Sequence, residues 1–214
     1  MAQLSSPSAE GDGRSTRAAA QRERRRSEVL ERSLRVFSDK GYHATRVSDL
    51  VEAAGIARGT FYLYFESKNA IFHELLDDLL EQVRDSMDGV DTGQGAPPLR
   101  AQLRAIVRRV LATFRDHPAV TRLVLRSAPG LDPDVDRKLA AFHGRLHAWL
   151  ADSIDNAQRL GLVRHLDAQA VAWSVLGAVK QHVENALDSG ASDDGLDRST
   201  DALLSLHLDG LLAR

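Results

Sequence analysis

The chain has 214 residues, 43% of them hydrophobic and 27% charged, with a formal net charge of −2. That is a globular composition, long enough for a full core and one or two domains. Cysteine is absent, which excludes disulfides and thiolate metal sites and fits a reducing compartment.

The first 20 residues are rich in Ser, Ala, Gly and Arg, with almost no large apolar side chains. They predict a disordered basic tail over 1–21. No apolar run marks a signal peptide. The longest uncharged stretch, 168–179, falls short of the roughly 20 apolar residues that a bilayer span needs. The expectation is therefore a cytoplasmic protein without a membrane partner.

Arg22, Arg24, Arg25 and Arg26 lead into a first helix whose apolar positions are Val29, Leu30, Leu34, Val36 and Phe37. Gly41 after Lys40 is a helix stop. Thr45 is a natural N-cap for a short second helix with Val47, Leu50, Val51 and Ala54 on its buried stripe. Gly55 supplies the tight turn, because glycine tolerates positive φ. A third helix begins near Ala57. Phe61 and Phe65, four apart, face its core, which leaves Arg58, Thr60, Tyr62 and Tyr64 on other faces.

Ser67 caps a long fourth helix, striped from Ile71 to Met87 and ending near residue 88, and a Gly/Asp/Pro linker follows over 89–98. Leu99, Leu103, Val107, Val110, Leu111 and Phe114 mark a fifth helix, ended by Pro118. A short sixth runs from about Pro118 to Ser127. After the Pro-Gly-Leu-Asp-Pro break, Val135, Leu139, Phe142, Leu146, Trp149 and Leu150 mark a long seventh, ending near Gly161. An eighth covers about Ala168 to Leu187. A ninth carries Leu203, Leu204, Leu208, Leu211 and Leu212. No segment alternates as a strand does.

The first three helices read as a helix-turn-helix that enters a major groove. Residues 1–70 hold twelve Lys or Arg against nine Asp or Glu, whereas the remainder carries a charge of −5. A basic front on an acidic body suits a protein of which one part approaches phosphates. There is no glycine-rich phosphate loop, nucleophile elbow or pair of carboxylates, so no enzyme activity and no cofactor are expected.

The run Gly41-Tyr42-His43-Ala44-Thr45, with Asp49 to Ile56, Gly59-Thr60-Phe61-Tyr62, Tyr64-Phe65 and Ser67-Lys68, resembles the DNA-binding domain of the TetR family of transcriptional regulators. The nine-helix plan agrees with it. The resemblance implies an all-α homodimer. A three-helix DNA-binding domain over 22–66 would be followed by an effector-binding and dimerisation domain over 67–214. It also implies a palindromic double-stranded DNA operator, released when a small molecule binds.

On that basis Arg58 reaches guanine or phosphate, Gly59 allows close approach and Thr60 meets a methyl or a phosphate. Tyr62, Tyr64, Lys68, Thr45 and Arg46 hold the DNA backbone. The Arg22–Arg26 cluster is either a solvated face or an arm in the minor groove.

Leu103, Val107, Phe114, Phe142, Leu146, Trp149, Trp173 and Leu176 suit a mostly apolar effector pocket. The eighth helix is apolar around much of its surface, so Val171, Val175, Val179 and Val183 are expected to form a dimer bundle with Leu204, Leu208 and Leu211 of the ninth. His143 and His147 share one helix face, but no carboxylate or thiol completes a set, so no metal is expected. The alternative reading is a constitutive regulator or an activator with no small-molecule sensing.

Overall fold

A computed structural model describes residues 10–128, 130–190 and 192–209. Among the described residues there are nine α-helices and no strand. They are α1 (Glu10–Lys40), α2 (Val47–Ala54), α3 (Arg58–Tyr62), α4 (Lys68–Asp85), α5 (Leu99–Asp116), α6 (Pro118–Ser127), α7 (Pro133–Arg159), α8 (Ala168–Ser189) and α9 (Asp193–Leu204). A single π-helical turn, Ser205–Asp209, continues α9. No helix of the described residues is long and apolar enough to cross a membrane.

The chain divides into two compact units, residues 1–75 and 76–214. The division falls inside α4 rather than at 66/67. The reason is packing: Ile71 and Phe72 of α4 are fully buried, and Phe72 meets Tyr42 edge-on at 5.2 Å between ring centroids.

The first unit is organised around aromatic rings. Phe37, Phe61, Phe65 and Phe72 are all at most 2% exposed. Arg26 places its guanidinium 4.7 Å from the Phe65 ring centroid and pairs with Glu74. α1 and α2 are tied by Lys40–Asp49 at 2.9 Å and by Arg32 donating to the Ala53 carbonyl at 3.0 Å. Disorder was expected to residue 21, but α1 is helical from Glu10. Ala18–Ala20 and the Gln, Arg and Glu residues that follow are strong helix formers and extend the helix nucleated by the apolar stripe from Val29 onward. Residues 1–9 lie outside the described residues.

In the second unit α7 packs on α8, while α5 packs on α8 and α9. Leu111, Val183, Leu187, Leu196 and Leu203 form one buried cluster, with Val107, Phe114 and Val179 partly buried against it. Outside this cluster runs a ladder of charges. Arg100 meets Asp209 at 2.9 Å, Arg104 meets Asp201 at 2.7 Å and Asp197 at 3.0 Å, Arg108 meets Asp197 at 3.0 Å, and Arg115 meets Asp193 at 2.5 Å. Rising arginine numbers meet falling aspartate numbers, so α5 and α9 run antiparallel.

Helix starts follow local chemistry. Asp132 accepts from the backbone N–H of Asp134 and Val135 at 2.8 and 2.9 Å, with Pro133 as the first helical residue of α7. Asp167 and Ser192 cap α8 and α9 in the same way.

Two of the residues expected at a dimer face are internal. Val183 is 4% exposed inside the buried cluster, and Leu204 is 6% exposed. Both belong to the subunit core, and Val183 does so because its helix face turns toward Leu111 of α5. Val171, Val175, Val179 and Leu208 are half-buried, and Leu211 lies outside the described residues.

Candidate nucleic-acid interface

α2 and α3 are joined by Gly55, whose φ of +64° closes α2 with a left-handed residue and returns the chain to the extended Ala57. An L side chain is strained at that φ, so the turn needs glycine. α2 starts one residue later than expected. Arg46 is its N-cap, and its N–H donates to Asp49 Oδ2 at 2.7 Å. That bond, with Lys40 beside it, holds the Asp49 carboxyl below its ordinary pKa.

Phe61 at 0% and Phe65 at 2% exposure anchor α3 from beneath. Arg58 and Gly59 are exposed, Tyr62 is 45% exposed, and Thr60 and Tyr64 are half-buried. Arg58 lies over the Tyr62 ring at 5.9 Å, so the two groups form one patch. Arg46 is also exposed. This is a short polar helix on a rigid aromatic base.

Gly59 has an ordinary helical backbone, and a Cβ built on it meets no atom within 4 Å. Neither packing nor conformation inside the subunit calls for glycine here. Leu63, overlooked because it is apolar and lies between two tyrosines, is 81% exposed at the end of α3. The only available signal was its position between the core residues Phe61 and Phe65.

Two expected backbone contacts turn inward. Thr45 is 1% exposed, and its hydroxyl donates to the Gly41 carbonyl at 2.7 Å. It closes the α1–α2 turn instead of facing outward. The Lys68 amine donates to the carbonyls of Tyr42 and Thr45, both at 2.9 Å, and lies 4.5 Å from the Tyr42 ring centroid. A third contact, to the His43 carbonyl, is longer at 3.4 Å. Lys68 thus clamps the turn before α2, and carbonyl oxygens offset its unfavourable place at a helix start.

The eight residues expected to line an effector pocket do not form one enclosed set. Phe142 is buried, and Leu103, Val107, Phe114, Leu146 and Leu176 are half-buried. Trp149 and Trp173 are 41% and 58% exposed, because α7 and α8 present them on their outer sides. His147 stacks on Trp173 with centroids 4.2 Å apart, and its Nε2 lies 3.1 Å from the Gln169 carbonyl oxygen. A cleft of about 660 Å³ in this unit is polar, lined by Asp152, Asp155, Gln158, Arg159 and His165. None of the eight lines it.

A three-helix unit with a tight glycine turn and an exposed, aromatic-backed third helix defines a helix-turn-helix DNA-binding protein. Sequence comparison makes this specific. Residues 29–75 match the model of bacterial regulatory proteins of the tetR family, and residues 96–202 match the tetracyclin repressor-like C-terminal domain. The chain belongs to the TetR family, whose members are transcriptional regulators rather than enzymes. TetR regulators bind DNA and dimerise.

Among curated proteins, the uncharacterized HTH-type transcriptional regulator YdgC of Bacillus subtilis is 28% identical over 171 residues, 78% of this chain and 84% of that one. The HTH-type transcriptional repressor KstR2 of Rhodococcus jostii is 36% identical over 88 residues, 39% of this chain and 40% of that one. Among solved structures, the TetR family transcriptional regulator PfmR of Thermus thermophilus superposes with a TM-score of 0.68 at 23% identity. The match covers 86% of this chain and 99% of PfmR.

Proposed function

We propose that this regulator is a homodimeric repressor that leaves a palindromic operator when a small, largely apolar molecule binds its second unit. The reading assigns DNA binding to residues 22–66 and sensing and dimerisation to 67–214. The observation that carries it is the face of α3. Arg58 can fork onto guanine O6 and N7, Thr60 and Tyr62 offer hydroxyls, and Gly59 lets the backbone approach the groove floor. A glycine that the subunit itself does not need is accounted for by a duplex pressed against it.

A repressor role is supported by the partial similarity to a relative that carries that name. Dimerisation through α8 is supported by its outer side. Gly177 is exposed with open space around it, Trp173 stands out beside it, and Val171 and Val175 are half-buried. A glycine there allows close approach of a second helix. The effector would enter among the half-buried apolar residues of α5, α7 and α8, led by Val107, Phe142, Leu146 and Leu176. Binding there would favour one of two dimer arrangements.

The test is selection of operators from random duplex DNA with the purified full-length protein. A two-fold symmetric consensus with half-sites about one helical turn or a small multiple apart is expected. Absence of any enriched sequence would overturn the reading. Titration of apolar small molecules against the selected duplex then tests release.

A further inference from the structure

We infer that the cleft between the N-terminal extension of α1 and Tyr64 binds a backbone phosphate of the operator, flanking the bases read by α3. The inference rests on the operator reading above and adds a site to it. The cleft has a volume of about 460 Å³. Gln21, Arg22, Arg24, Arg25 and Glu28 of α1 line one wall and Tyr64 another.

Gln21, Arg25 and Glu28 recur at spacings of four and three, and Arg22 lies three before Arg25, so these groups share one side of the helix. Three guanidinium groups face one carboxylate. Arg25 is 2.7 Å from Glu28, which leaves Arg22 and Arg24 without a carboxylate partner among the described residues. The cleft therefore carries surplus positive charge, together with an amide and a phenol. A guanidinium fork matches two phosphate oxygens, and a phenolic hydroxyl can donate to a third.

Three further observations select DNA backbone as the occupant. Tyr64 follows Tyr62 of the recognition helix by two residues, so one wall of the cleft is the segment that directly continues α3. Residues 16–24 are exposed and contribute nothing to the buried core. The stretch also lies wholly before residue 29, where the match to the family model begins. An ordered helix holds the guanidinium groups in place before DNA arrives, which lowers the ordering cost that a flexible arm would incur on binding.

The experiment uses the full chain and the operator duplex selected by the wild-type protein. Affinity is measured across a salt series for wild type, for the double variant Arg22→Gln/Arg24→Gln and for Glu28→Gln. The double variant is expected to bind about tenfold more weakly, with a slope of log K against log salt shallower by about one. Its selected sequence should not change. Glu28→Gln releases Arg25 and is expected to bind more tightly, an outcome that misfolding cannot mimic.

Neutral methylphosphonate linkages placed singly along the duplex should weaken wild type at one flanking position and leave the double variant insensitive there. Unchanged slope, affinity and methylphosphonate profile in both variants would overturn the phosphate site and leave the operator reading standing. Tighter binding of inorganic phosphate or anionic vesicles than of operator would also overturn it. A wild-type protein that selects no operator would remove both readings.

Discussion

The two units reach stability by different means. In the first, four phenylalanines pack at near-zero exposure beneath a short helix, and the turns are closed by Gly41, Gly55, Thr45 and Lys68. In the second, α5 buries only Leu111 fully across 18 residues, and its outer side is held to α9 by arginine–aspartate pairs. α8 leaves Trp173 exposed and Val171, Val175, Leu176 and Val179 only half-buried. The head is finished as it stands and exposes polar groups for a ligand. The body keeps apolar surface that a second subunit or an effector can cover.

The contrast breaks most easily in the aromatic core. Phe61→Ala should destabilise the first unit by about 3–5 kcal/mol through lost transfer energy and a residual cavity. Melting followed by circular dichroism should show an early transition, and duplex binding should vanish with it. A melt unchanged from wild type would mean that α3 does not depend on this core.

Lys68→Met separates clamp from contact. Removing the amine leaves the Tyr42 and Thr45 carbonyls without their charged donor, at a cost of about 1.5–3 kcal/mol. The variant should melt earlier, while the salt dependence of DNA binding at permissive temperature stays near wild type. An unchanged melt with a shallower salt slope would instead make Lys68 a phosphate ligand.

Gly59→Ala should move stability and binding in opposite directions. Alanine in helical geometry with open space around Cβ should gain about 0.5–1 kcal/mol. The added methyl should obstruct the groove approach and weaken operator binding. Equal binding by both forms, measured by fluorescence anisotropy, would remove the argument from the glycine.

The smallest effects belong to the ladder between α5 and α9, whose pairs are solvent-accessible and individually weak. Arg108 holds the Asp197 carboxyl below its ordinary pKa, and Arg115 does the same to Asp193. A depressed folded-state pKa adds stability above the ordinary aspartate value of 3.8 and loses it as pH falls through the lower folded value. The second unit should therefore melt earlier on acidification from about pH 5 downward. The drop should be smaller in Asp193→Asn/Asp197→Asn, as read by a thermal shift series.

Helix positions were legible along most of the chain because each helix carries its own apolar period and its own punctuation. Pro118, Pro133, Gly55 and the cap at Asp132 mark ends through local backbone chemistry alone. The inward direction of Phe61 and Phe65, and hence the outward face of α3, followed from a spacing of four. Thr45 and Lys68 could not be placed in that way. A threonine or lysine next to a helix start looks the same whether it faces solvent or a neighbouring turn, and the difference lies in where the Gly41 to Thr45 carbonyls end up. The helical run from Glu10 to residue 21 carries no core residue to mark it, and helix propensity with the adjoining apolar-striped helix decides it.

The amino-acid order by itself determined the helices, the glycine turn and the family motif, because these depend on residues within a few positions of one another. Only the tertiary structure decided that Val183 and Leu204 complete a subunit core, that both tryptophans stand outward, and that Tyr64 closes a cleft with α1. Those outcomes depend on which faces of separate helices meet, and helical periodicity specifies that a face is apolar without specifying what covers it.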